Sequence, residues 1–163
     1  MIQAVNILHA TVKLSRSIKK LQQRNYNKRK NEYKTEYNFG KTILLVEDNL
    51  VNQKLSALFL KKIGYNVIIA SNGLDAINIY SEKNHKLNFI FMDCQMPVMN
   101  GFDATIKIRN FEQENHLPQV PIFAMTANAM KGDKEKCLAV GMNEYLKKPV
   151  RLKEIIEVIK KYL

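Results

Sequence analysis

From residue 41 onward, short apolar runs alternate with amphipathic stretches. Residues 42–46, Thr-Ile-Leu-Leu-Val, form an unbroken β-branched and leucine run of the kind expected for a strand buried on both faces. Residues 50–63 follow with Leu50, Leu55, Leu58, Phe59 and Lys62-Ile63 at helical spacing and Gly64 as the stop. The same alternation predicts a strand at 66–70 and a helix at 73–83 that turns Ala76, Ile77 and Tyr80 inward. A third strand is expected at 87–92, running into Asp93, and a loop at 94–100 holds Pro97 before Gly101 and a helix at 102–114. A strand at 120–125, a helix at 131–140 capped by Gly141, a short strand at 144–147 and a helix at 152–162 complete the series. In the last helix Ile155, Ile156 and Ile159 should face the sheet. Five βα units in succession predict an α/β fold, a parallel sheet with helices on both faces.

In such a sheet, ligands gather beyond the carboxyl ends of the strands. The residues expected there are Glu47 and Asp48 after the first strand, Asp93 after the third, Thr126 after the fourth and Lys148 after the fifth. Capping of the first helix explains one or two acids but not a third at another strand end, opposite a lysine. Carboxylates this close repel by about 4 kcal/mol at 4 Å and an effective dielectric near 20, so one protonates or a cation binds. Oxygen ligands with open water positions suit Mg²⁺. A carboxylate beside such an ion can attack phosphorus and form an aspartyl phosphate, and Lys148 and Thr126 have the chemical types to receive the phosphoryl oxygens.

Composition narrows the class. At 163 residues, 46% apolar and 25% charged, the chain is of ordinary globular make-up and about one domain long. Cys94 and Cys137 are too few for a disulfide scaffold, and His9, His85 and His116 lie too far apart for metal-ligand spacing. Neither a membrane span nor a secretory leader is legible, so a cytoplasmic location is expected. The net charge of +11 is unevenly placed: residues 1–40 hold nine Lys or Arg against Glu32 and Glu36, a net +7. Within this basic extension Ala4, Ile7, Thr11, Leu14, Ile18 and Leu21 form a narrow helical stripe, followed by a polar linker ending at Gly40. A dimerising helix, a nucleic-acid arm or an organelle presequence fits this stretch, and a solvated frayed tail fits it more simply. The expected organisation is an extension at 1–40 and a globular domain at 41–163.

Four segments carry a family resemblance: ILLVEDNLVNQKL (43–55), FMDCQMPVMNGFDATIKIR (91–109), FAMTANAM (123–130) and YLKKPV (145–150). Their order and spacing resemble the receiver domains of two-component response regulators, most of all those attached to hybrid sensor histidine kinases. The resemblance implies a flavodoxin-like five-stranded sheet of order 2-1-3-4-5. It implies Asp93 as phospho-acceptor and Asp48 as a direct Mg²⁺ ligand beside Asp93 itself, with Glu47 assisting through water and Gln95 lending its backbone carbonyl. Thr126 would contact the phosphoryl group, and Lys148, rather than Lys147, would pair with Asp93. The Lys148–Pro149 bond would be cis, an isomer that costs proline little. Tyr145 would be the aromatic whose rotamer follows Thr126, on a readout face made of the fourth helix, fifth strand and fifth helix. Gln95 and Asn128 hold positions that tune dephosphorylation in the family, and Cys94 is expected to pack. The implied partners are a histidine kinase or histidine phosphotransfer protein, a downstream protein and a second copy of the chain in a homodimer.

Two rival classes stay open on sequence. An aspartyl-phosphate phosphatase or phosphotransferase commonly carries a second acid two residues after the nucleophile, where this chain has Gln95. A nucleic-acid binder or dimerising protein could use residues 1–40, but no helix-turn-helix pattern accompanies them and nucleic acid is not an expected partner. With no output domain or kinase core legible, the chain reads either as a stand-alone receiver or as the C-terminal piece of a hybrid kinase.

Overall fold

The structure, a computed structural model, describes residues 20, 40–127 and 131–163. The helical stripe between Ala4 and Leu21, the polar linker and Asn128 therefore lie outside the described residues, Lys20 and Gly40 excepted.

The elements run β1 (Thr42–Val46), α1 (Leu50–Lys62), β2 (Asn66–Ala70), α2 (Gly73–Lys83), a 3-10 turn (Asn84–Lys86), β3 (Leu87–Asp93), α3 (Gly101–Glu114), β4 (Ile122–Thr126), α4 (Lys131–Ala139), β5 (Glu144–Lys147) and α5 (Leu152–Lys160). The five strands are all parallel in the order β2-β1-β3-β4-β5, the flavodoxin-like arrangement that the resemblance implies. Alternation along each central strand divides the core in two. Leu44, Val46, Ile90, Met92, Ile122 and Ala124 pack with Ala76 and Tyr80 of α2, Ala104 and Ile108 of α3, and Cys137 of α4. The opposite face is aromatic at its centre. Phe123 stacks on Phe89 at 5.6 Å and meets Phe91 edge-on at 5.2 Å, with Tyr162 closing over it from beyond α5.

Several strand and helix ends differ from expectation by one or two residues. β4 begins at Ile122 rather than 120, because Pro121 has no N–H to donate and the Val120 N–H is given to Glu112 Oε1. Asp93 and Thr126 are the last residues of their strands rather than the first of the following loops. Gly101 opens α3 behind an Asn100 cap, and α4 and α5 end at Ala139 and Lys160.

The inward face of α1 is partly polar. Leu50, Leu55 and Leu58 are exposed, while Gln53, Ser56, Ala57, Leu60 and Ile63 are buried. The buried set has the i, i+3, i+4, i+7 spacing of one helix face, and two of its members are polar because that face turns toward the strand ends. Of the apolar positions at helical spacing, Ile63 is buried and Phe59 half-buried, while the three leucines face outward.

A buried polar network ties the amino ends of the strands together. Glu112 accepts from Tyr80 Oη at 2.8 Å, from Val120 N at 2.8 Å and from Arg109 at 2.6 Å. Arg109 donates onward to the carbonyls of Gly141 and Val120. Burial, reinforced by the Glu112 bond and charge, pushes the Tyr80 phenol far above its ordinary 10.0. The folded chain then keeps a proton that the unfolded chain releases, so stability falls as pH climbs above about 10. Comparing denaturant midpoints at about pH 9 and about pH 11 checks this. The Tyr80→Phe chain should show a shallower fall than the parent, and an equally steep fall would contradict the assignment.

Candidate functional site

Glu47 extends β1, its N–H bonding the Ala70 carbonyl at 3.1 Å, so its side chain emerges at the sheet's carboxyl edge. Asp48 follows it, exposed, and Asn49 caps α1 by accepting from Val51 N and Asn52 N. Neither acid is the cap. Asp93 ends β3 beside Met125 of β4 and is only 4% exposed. Carboxylate oxygens of Glu47, Asp48 and Asp93 all lie within 4.8 Å of one another.

Lys148 reaches this cluster from beyond β5. Its backbone N–H bonds the Thr126 carbonyl at 2.8 Å, fixing the two strand ends together, and the Lys148–Pro149 peptide is cis. The Lys148 Nζ lies 2.6 Å from Asp93 Oδ2 and 2.6 Å from Glu47 Oε2. Lys147, by contrast, is exposed at the end of β5. Burial alone would lower the Lys148 ammonium, but its hydrogen bonds and charge pairing with Asp93 and Glu47 outweigh that and leave it raised. Burial likewise lifts the Asp93 carboxyl, and the bonds from Lys148 and the Gln95 N–H pull it back only in part. The direction that matters is shared: a dry pocket makes each charge depend on its neighbours.

Two further groups hold Glu47. Asn52 Nδ2 donates to Glu47 Oε1 at 3.0 Å, and the buried Gln53 amide donates to the Glu47 carbonyl at 2.6 Å and to Ser71 Oγ at 3.3 Å. Sequence reasoning left these roles unassigned. The available signal was a polar pair, Gln53 and Ser56, at helical spacing with Ala57 and Leu60. Nor did it anticipate that Lys148 bridges two carboxylates rather than one.

The remaining predicted residues sit around the cluster. Gln95 donates its N–H to Asp93 Oδ1 at 3.1 Å, which brings its backbone beside the carboxylate. Thr126 is buried at the end of β4. Tyr145 is half-buried in β5, paired with Ala124, and carries Lys134 Nζ 5.5 Å from its ring centre. Cys94 is buried with its sulfur 3.9 Å from that of Cys137.

Three carboxylates and one ammonium leave a net negative pocket. At separations under 5 Å and an effective dielectric near 20, each like-charge pair costs about 3–4 kcal/mol, which a divalent ion relieves. The donors are hard oxygens and one acid is exposed to water. That combination suits a small oxygen-seeking cation that keeps part of its hydration shell, as Mg²⁺ does.

Comparison with known proteins agrees with this chemistry. The family model described as the response regulator receiver domain matches residues 43–160. Hybrid signal transduction histidine kinase B of Dictyostelium discoideum is 45% identical over 130 residues, covering 74% of this chain and 6% of that protein. The curated relatives matched are far longer, and the chain spans from 5% to 11% of their length. Among solved structures, the receiver domain of the Saccharomyces cerevisiae response regulator Ssk1, crystallised with the histidine phosphotransfer protein Ypd1, superposes with a TM-score of 0.71. It is 40% identical, and the match covers 77% of this chain and 90% of that one. The receiver domain of sensor histidine kinase PA1611 from Pseudomonas aeruginosa, with a magnesium ion coordinated in its active site cleft, gives a TM-score of 0.66. It is 41% identical, covering 76% of this chain and 97% of that one. Among the described residues, no helix is long and apolar enough to cross a membrane.

Proposed function

Since this chain belongs to the response regulator receiver domain family, we propose that it takes a phosphoryl group from a phosphohistidine donor onto Asp93 and uses the new charge to change what it binds. The observation that carries this reading is the Asp93 carboxylate, held by Lys148 at 2.6 Å within a cluster of three acids. In the step, an Asp93 oxygen attacks phosphorus, the phosphorus–nitrogen bond breaks, and the imidazole leaves with the electron pair and takes up a proton. Asp48, Asp93, Glu47 and the Gln95 carbonyl would hold Mg²⁺, which when bound supplies positive charge to the phosphoryl oxygens. Lys148 keeps its charge beside the acceptor and turns from the Asp93 oxygen to the phosphoryl oxygens. Asn52 and Gln53 hold Glu47 in place throughout.

Phosphorylation adds roughly −1.5 to −2 charge. Charge-assisted hydrogen bonds contribute roughly 1.5–3 kcal/mol each, and reversing a 1:99 equilibrium takes about 5.5 kcal/mol. New bonds from Thr126 and nearby backbone N–H groups meet that requirement together, since Lys148 is already paired. Thr126 moving toward the phosphoryl group vacates space for Tyr145, and the α4, β5 and α5 face carries the change to a downstream protein or a second copy of the chain. Residues 41–163 act as the receiver, in the cytoplasm, and 1–40 as a basic extension. The hydrolysis that ends the signal takes place at the same site, with no external phosphoester turned over.

Docking of the donor falls to α1. Leu50, Val51, Leu55 and Leu58 form an exposed apolar face, Val51 at 72%, and Leu55 lines the same cleft as Glu47, Asn52 and Lys148. A patch of this kind on a small domain marks an interaction surface. The test is transfer of labelled phosphoryl groups from a phosphorylated histidine phosphotransfer protein to this chain. Transfer is expected within the assay, and the Leu58→Glu chain should accept about tenfold more slowly or worse, as loss of a central interface contact implies. Labelling of that variant by a small phosphodonor should be unchanged. Equal transfer rates would remove α1 from the interface, and no transfer from any phosphohistidine donor would remove the proposed function.

A further inference from the structure

The chain contains two cysteines, and the fold brings them together across 43 residues of sequence with their sulfurs 3.9 Å apart. Both are buried. Cys94 follows the proposed phospho-acceptor directly, its N–H bonded to the Met125 carbonyl at 3.0 Å and its own carbonyl accepting from Gly101 N at 3.2 Å. Cys137 lies on the inward face of α4, in the same core cluster. Neither sulfur has a task in the phosphoryl chemistry. A disulfide bond is about 2 Å long, so closure needs the sulfurs, now 3.9 Å apart, to approach by roughly 2 Å. Cys94 is 2% exposed and lies under an open surface depression bordered by Met96, Pro97 and Phe102, so an oxidant reaches its sulfur only through local opening of that surface. Disulfides in a reducing compartment are commonly transient, and this pair shares with redox sensors the adjacent second thiol, though not their exposure or low pKa.

We propose that Cys94 and Cys137 form a reversible intramolecular disulfide when the protein meets a hydroperoxide, stapling α4 to the end of β3. The Cys94 sulfur takes the terminal oxygen of the hydroperoxide and becomes a sulfenic acid, and the hydroperoxide leaves as an alcohol, or as water when it is hydrogen peroxide. The Cys137 sulfur then attacks the Cys94 sulfur, the sulfenic oxygen departs as water with the second thiol's proton, and the pair has lost two electrons. Burial pushes both thiols above their usual range. The reaction is therefore slow beside that of an exposed thiol, and its signature is the product rather than the speed.

The test uses the full chain, incubated overnight with millimolar hydrogen peroxide, then unfolded and labelled with a thiol-reactive maleimide. Free thiols should fall from two to none, the peptides holding Cys94 and Cys137 should be recovered linked and two hydrogens lighter than their reduced sum apart from any methionine oxygen, the chain should stay monomeric on a non-reducing gel, and dithiothreitol should restore both thiols. In the Cys137→Ser chain the same treatment should add oxygen to Cys94 and leave no internal bond. Hydrogen exchange of α4 backbone amides should slow in the oxidised parent relative to the reduced one. Survival of both thiols, covalent dimers, or oxygen added at Cys94 or Cys137 of the parent chain with no bond between them would each overturn the proposal. None of these readouts involves phosphorylation, so they succeed or fail independently of the function assigned to Asp93.

Discussion

The Asp93→Asn chain is expected to lose acyl-phosphate formation from a small phosphodonor in Mg²⁺ by at least about a thousandfold, the scale seen when a nucleophile is removed outright. The amide is close to the carboxylate in shape but carries no full charge, and its nitrogen is a poor nucleophile. The substitution also removes one of the two acids that bind Lys148, leaving Glu47 at 2.6 Å to hold the ammonium. The fold should therefore survive. The parent carboxyl is itself raised by burial, so exchanging it for a neutral group removes a desolvation cost and is expected to leave stability equal or higher. The checks are a time course of label incorporation and a denaturation curve on the same preparation. Undiminished labelling would take the acceptor role away from Asp93, and labelling lost together with the fold would leave the loss unrelated to chemistry.

The second large effect lies at the other end of the sheet. Glu112→Ala removes the acceptor for Tyr80, Val120 and Arg109 in one step. Arg109 stays one-tenth exposed without its counter-charge, and the buried Val120 N–H and Tyr80 hydroxyl lose their partner. Breaking a buried pair from one side costs about 3–5 kcal/mol, a large share of the roughly 5–15 kcal/mol that holds a domain together. The denaturant midpoint should fall accordingly. Lys153→Ala is the matched control, since its 3.6 Å pair with Glu157 is solvent-exposed on both sides and such pairs contribute little. Equal midpoints for Glu112→Ala and the parent would show that the network does not hold the strands.

Much of this architecture is legible in sequence because strands buried on both faces announce themselves as unbroken apolar runs. Residues 43–46 and 89–92 have that character, and the acids that follow them had to emerge at one edge of a parallel sheet. Convergence of Glu47, Asp48, Asp93 and Lys148 follows from topology alone. What topology does not supply is the inside of the pocket. That Lys148 divides itself between Asp93 and Glu47, and that Gln53 anchors the Glu47 carbonyl, depend on side-chain directions that spacing cannot report. The buried face of α1 is hard to read from spacing for a related reason. Leu50, Leu55 and Leu58 lie on the exposed side, while the side against the strands carries Gln53 and Ser56 because a polar site lies below it. The Tyr80–Glu112–Arg109 network was equally invisible, since it joins residues up to 32 positions apart by hydrogen bonds that leave no periodic trace. The start of β4 lies two residues later than expected because such a bond captures the Val120 N–H.

The most direct test begins with this chain phosphorylated by a phosphohistidine donor. Borohydride reduction then converts an aspartyl phosphate, and no other common phosphoamino acid, to homoserine. Peptide mapping by mass should find homoserine at position 93 and aspartate unchanged at 48. Homoserine at another position, or phosphate retained on a histidine or serine after reduction, would contradict the assignment of Asp93 as the acceptor.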